Sequence, residues 1–161
     1  MDTFSPQILS ILSGSLGIIP AYLWLKTIPI IGYTVCSSVL FTIIQHSTEK
    51  LHKYPPIVNI GKSYKYFLWL DRSFACLLIF LLYFHLREKV FKPRLLLISG
   101  VSLLVICDSG IIIDGVLYSI IHSLWHSFVW MYLISLYKIQ TGINVIFYTP
   151  KSIMFVIGSS D

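Results

Sequence analysis

Apolar runs of helical length succeed one another along this chain, separated by short polar or Pro- and Gly-bearing breaks. They predict five helices, at about residues 7–25, 30–46, 66–86, 94–107 and 116–137. Four of these approach the roughly 20 residues that a bilayer crossing needs, whereas the fourth is short for one. Pro6 stands near the start of the first segment, and Pro20 predicts a kink in its second half. Gly14 and Gly17 predict close approach of a neighbouring helix. Lys26 and Pro29 mark a tight turn to the second segment, which carries Ser37, Ser38, Thr42, Gln45 and His46 on an otherwise apolar background. The longest polar connection runs from Ser47 to Lys65, where Pro55-Pro56 and Gly61 oppose a continuous helix. Asp71-Arg72 then falls in the first two turns of the third segment. Pro93 opens the fourth, and Asp108-Ser109-Gly110 link it to the fifth. The mixed tail, 139–161, is broken at Tyr148-Thr149-Pro150 and reads as interfacial or frayed. The pattern predicts an all-α polytopic membrane bundle of about five transmembrane helices. It forms one integral membrane domain over residues 1–161.

Composition sharpens this picture. Residues are 56% hydrophobic and only 12% charged, with a mean hydropathy of +0.80, against about 25% charged in ordinary soluble domains. The formal charge of +5 does not form a basic face. It gathers in two loops, Lys50, Lys53, Lys62 and Lys65 in one and Arg87, Lys89, Lys92 and Arg94 in the other, as headgroup-facing flanks do. This distribution argues against nucleic acid as a partner. Cys36, Cys76 and Cys107 are scattered, without CxxC spacing. No basic n-region precedes the first apolar run, which therefore reads as a retained helix.

Chemistry enters in the fifth segment, at His122-Ser-Leu-Trp-His126. Two imidazoles at i, i+4 share one helix face about 6 Å apart along the axis, a spacing that lets both reach one metal ion. Tyr118 and Asp114 continue the stripe backwards by fours. Ionisable groups in a membrane helix face a bundle interior and mark function. A simpler reading makes these histidines hydrogen-bonding partners of neighbouring helices, worth about 0.6 kcal/mol each. Strict alternation of helix direction puts His46, Asp71, His122 and His126 toward the same membrane face. Opposite that face lie seven basic residues (Lys26, Arg87, Lys89, Lys92, Arg94, Lys138, Lys151) against four on it. By the positive-inside rule the C-terminus is cytosolic and the cluster lumenal or extracellular, in an endomembrane (ER or Golgi) or the plasma membrane.

Thr42-x-x-x-His46, Asp71 and His122-x-x-x-His126 resemble, in order and helix placement, the motifs of the CREST superfamily of membrane hydrolases. That superfamily includes the alkaline ceramidases, the progestin and adipoQ receptors, the Per-type proteins and the myomaker relatives. The family pattern is Ser-x-x-x-His, then Asp, then His-x-x-x-His in the last of seven helices. The wording His-Ser-Leu-Trp-His is nearest to the ceramidase and myomaker branches. Here Thr42 stands for the Ser, and only 50 residues separate Asp71 from His122. That is room for one helix where the family has three, so this is a version shortened by about two helices. A second alignment matches Gln45-His46-Ser47-Thr48-Glu49-Lys50 to an adipoQ-receptor segment that follows the metal histidine. It would put Phe41 at the ligand position.

The resemblance implies zinc held by His46, His122 and His126, with Asp71 handling the attacking water and Thr42 donating to an oxyanion. Tyr118 and Asp114 would act from behind the ligands. Three neutral imidazoles leave an open position on zinc, the catalytic arrangement. The expected function is zinc-dependent hydrolysis of an amide or ester near a lipid headgroup, ceramide-like or glycerolipid. The rival is a non-enzymatic family member, receptor-like or fusion-related, with structural zinc or none. A lipid substrate and an oligomer that completes the shortened bundle are the expected partners.

Overall fold

A computed structural model describes residues 7–48, 62–108, 115–146 and 156–159. Among the described residues six helices make the body: α1 (Gln7–Ser15), α2 (Ile18–Leu25), α3 (Pro29–Thr48), α4 (Lys62–Leu86), α5 (Arg94–Asp108) and α6 (Gly115–Thr141). A 3-10 turn, Arg87–Phe91, joins α4 to α5. The tail adds two short antiparallel strands, β1 (Ile143–Ile146) and β2 (Val156–Ser159), with Ile143 opposite Ser159. The helical expectation therefore holds for the body. The tail departs from it, because its β-branched residues after Gly142 pair as a ribbon.

Local chemistry explains the element ends. The first apolar run is broken at Gly17, one turn before the expected kink at Pro20. Proline has no N–H for the Leu16 carbonyl, and that carbonyl accepts instead from Ile19 at 3.1 Å in a tighter turn. Pro20 then sits harmlessly in the first turn of α2. Pro29 occupies the first position of α3, where its missing N–H costs nothing. Gly142, at φ 73°, ends α6 by donating to the Lys138 carbonyl at 2.8 Å. Helix α4 begins at Lys62, about one turn earlier than the periodicity indicates, so Asp71 lies in its third turn rather than its first two.

Helices α1 and α2 pack against both α3 and α6, α5 lies along α6, and α4 lies along α3 and the 3-10 turn. Trp24, Ile31, Val35, Leu133 and Leu136 form the fully buried centre. Trp24 Nε1 donates to the Leu133 carbonyl at 3.1 Å, and its ring meets Tyr137 edge-on at 5.7 Å. Because α4 packs on α3 and α5 on α6, a cleft remains between these two pairs. The outer faces of α4 and α5 are apolar, with Phe80, Phe84, Leu95, Ile98 and Val105 exposed.

Among the described residues, three segments are long and apolar enough to cross a membrane: Ile8–Leu25, Pro29–Ser47 and Tyr66–Phe91. Helix α5 is apolar but has only 15 residues, about 22 Å at 1.5 Å per residue. Cys36, Cys76 and Cys107 are all free thiols.

Candidate metal centre

Two helices bring three imidazoles together. The last full turn of α3 carries His46, and the first half of α6 carries His122 and His126. One nitrogen from each ring lies within 4.8 Å of those of the other two. Ring centroids are 4.8 Å apart for His46 and His122, 5.4 Å for His46 and His126, and 4.7 Å for His122 and His126. All three are buried, at 0%, 7% and 6% exposure respectively. The rings cross at 65° to 78° instead of stacking, so their edges converge on a common space. Phe41 does not join them. Its ring stacks on Phe74 of α4 at 5.1 Å, so the geometry makes His46 the third imidazole of the cluster.

The donor set fits a metal ion. Neutral imidazole is a good ligand for zinc and other first-row divalent ions. The Nδ1 of His122 is buried and has no hydrogen-bond partner among the described residues. A polar atom left in that state costs free energy unless something absent from the protein chain satisfies it.

Asp71, on α4, is half-buried beside the cluster. Thr42 Oγ1 donates to Asp71 Oδ1 at 2.6 Å, a charge-assisted distance. The hydroxyl expected to face a substrate oxygen therefore spends its proton on the carboxylate. Tyr118 stacks on His122 with centroids 5.3 Å apart and planes 20° from parallel. Asp114, the other residue of the stripe, lies outside the described residues, as does the Ser109–Gly110 link. His85 is exposed at the far end of α4, away from the cluster, as an interfacial residue would be.

The structure also recruits residues that the motif reading passed over. On α1, Ser13 Oγ is 3.0 Å from His126 Nδ1 and donates to the Ser10 carbonyl at 3.1 Å. Trp130 Nε1 donates to the Ser13 carbonyl at 2.9 Å. Gly14 admits this approach: a Cβ there would lie 2.9 Å from Thr42 Cγ2 and 3.7 Å from the His126 ring. Ser38, one turn before Thr42, and Ser119, one turn before His122, are buried on the same two helices. The sequence signal was present, since Ser38, Thr42 and His46 repeat by fours. Ser10 and Ser13 had no such marker.

From Thr42, Asp71 and His126 a cavity of about 140 Å³ extends into the cleft between α3–α4 and α5–α6. Beyond this polar end its walls are apolar, with Leu78, Leu82, Leu97 and Leu133 among them. Compared with models of known protein families, with curated proteins and with solved structures, the chain matches none, so the resemblance to the CREST superfamily rests on these residues alone.

Proposed function

We propose that the chain is a membrane-embedded, zinc-dependent lipid hydrolase of CREST type, acting on an amide or ester close to a headgroup. The observation that carries the reading is a cluster of three buried imidazoles, one of which, His126, lines one end of an otherwise apolar cavity together with the Thr42–Asp71 pair. Three apolar helices of crossing length support a membrane setting, and α5 and α6 complete the bundle within it. His46, His122 and His126 would hold the ion. A zinc ion with three neutral ligands supplies Lewis acidity, polarising a carbonyl and bringing the pKa of water toward about 7.

The chain's own groups divide the remaining work. Asp71, held by the Thr42 hydroxyl, accepts a proton from the attacking water and passes it to the leaving nitrogen or oxygen. Water oxygen bonds to the carbonyl carbon, and the C–N or C–O bond breaks. A carboxylic acid and an amine or alcohol result, with no redox partner required. The apolar walls exclude bulk water and receive hydrocarbon next to the scissile bond. A cavity of this size admits one benzene-sized group, which suits the first part of a single chain; the cleft between α4 and α5 leads the rest to the bilayer.

The test is hydrolysis of an N-acyl sphingoid amide and a glycerolipid ester by the detergent-purified chain. Activity removed by a chelator, restored by zinc and lost in Asp71→Asn supports the proposal. A second reading, a metal-stabilised protein without turnover, is favoured by one observation: His126 lines the cavity, but His46 and His122 do not. Tightly bound zinc that raises the melting temperature, with neither substrate cleaved, would select that reading.

A further inference from the structure

The motif region begins at Thr42, yet the hydrogen bonds around His126 reach back to α1. Ser13 has a single hydroxyl proton, which it donates to the Ser10 carbonyl at 3.1 Å. With that proton on the Ser10 carbonyl, Ser13 Oγ meets the imidazole, 3.0 Å away, as an acceptor, and the matching tautomer of His126 carries its hydrogen on Nδ1. A neutral imidazole protonated at Nδ1 has its lone pair on Nε2. We propose that Ser13 is a positioning residue of the metal centre, holding His126 in the tautomer whose Nε2 faces the ion. The inference rests on His46, His122 and His126 being metal ligands.

Two further contacts and the burial of Ser13 make this bond specific. Trp130, on the same helix as His126, donates to the Ser13 carbonyl at 2.9 Å, so α6 grips the residue from the backbone side as well. Gly14 leaves the space through which α1 comes against Thr42 and His126. Ser13 itself is buried, at 8% exposure, so water does not compete for the imidazole N–H. A partner of this kind fixes ring orientation and raises ligand basicity, and its loss costs about 10- to 100-fold in metal affinity. The centre is thus built from α1, α3 and α6 together, and its first component lies about 30 residues before the earliest motif position.

The experiment is a cobalt(II) and zinc titration of the full detergent-purified chain, comparing native protein with Ser13→Ala, Ser13→Cys and Ser13→Thr. Cysteine keeps the size of serine but is a weak acceptor; threonine keeps the hydroxyl. The expected result is near one metal per native chain, with affinity down about 10- to 100-fold in the Ala and Cys variants. Their cobalt d–d bands should shift, their metal-free melting temperatures should stay near native, and Ser13→Thr should recover the affinity. Native affinity and spectrum in both Ala and Cys variants would overturn the role of Ser13 while leaving the metal centre standing. So would an affinity loss matched by equal loss of metal-free stability, which would make the bond a packing contact. A native chain that binds neither ion would overturn the metal reading itself, and this proposal with it.

Discussion

The imidazoles of the cluster reach it by two different routes. His122 and His126 are paired by helix periodicity alone, whereas His46 joins them only because α3 ends beside the start of α6. Removing either side should have the same effect. His46→Ala and His122→Ala are each expected to drop bound zinc from near one per chain to a small fraction, read by elemental analysis of purified protein. Zinc lost in His122→Ala but kept in His46→Ala would show a site that does not use α3. Thr42 calls for a different result. Its hydroxyl is bonded to Asp71 at 2.6 Å, so on the proposed hydrolysis Thr42→Val should leave metal content intact and lower turnover by about 10²- to 10⁴-fold, the range for a misplaced general base. Thr42→Ser should retain most of it. The sequence made Thr42, His46, Asp71, His122 and His126 visible because motif and period coincide. It assigned the Thr42 proton to the substrate, because direction across two helices has no sequence signature.

At the scale of elements, polar atoms and glycines tie the helices together. Trp24 bonds α2 to α6, Trp130 bonds α6 to α1, and Tyr132 donates to the Val90 carbonyl at 3.0 Å, fixing α6 to the 3-10 turn. In the membrane setting proposed above such groups would find no water, so each bond would also avoid an orphaned donor. Gly17 marks the tightest approach of the α1–α2 break. A Cβ there would stand 2.7 Å from Trp130 Cζ2 and press on Val39 as well. Since Trp130 is buried, it has no room to yield. Gly17→Ala is therefore expected to destabilise the protein by about 1–3 kcal/mol, as overpacking does, seen as a lower melting temperature in detergent. An unchanged melting temperature would mean that α1 and α2 are not held against α6 as described. The sequence marked both glycines as approach points. It placed the helix break at Pro20, since proline's effect falls on the carbonyl four residues earlier.

For the molecule as a whole, the decisive feature is that α4 and α5 belong to different packed pairs. The chain has only 50 residues between Asp71 and His122; the described ones among them form the end of α4, the 3-10 turn, α5 and the start of α6, and the cavity lies in the cleft beside them. Filling it should separate binding from metal chemistry. Ala75 of α4 and Val129 of α6 both line the cavity. Ala75→Phe or Val129→Phe is expected to raise KM for a lipid substrate several-fold or more while zinc per chain stays at the native value. Unaltered KM in both variants would remove the cavity from the substrate path.

What the sequence determined by itself is everything periodic or compositional: the apolar helices, their order, the His122–His126 spacing, and the alternation that brings Asp71 and the histidines to one end. These are local properties, set by 3.6 residues per turn and by the cost of placing polar groups in an apolar phase. Tertiary structure alone decided which side chains of different helices face one another. It chose His46 over Phe41, turned the Thr42 hydroxyl to Asp71, and set Ser13 against His126. Helix rotation and crossing follow from how surfaces such as Gly14, Gly17 and Trp130 interlock, and that fit is a property of pairs of helices, which no single stretch of sequence contains.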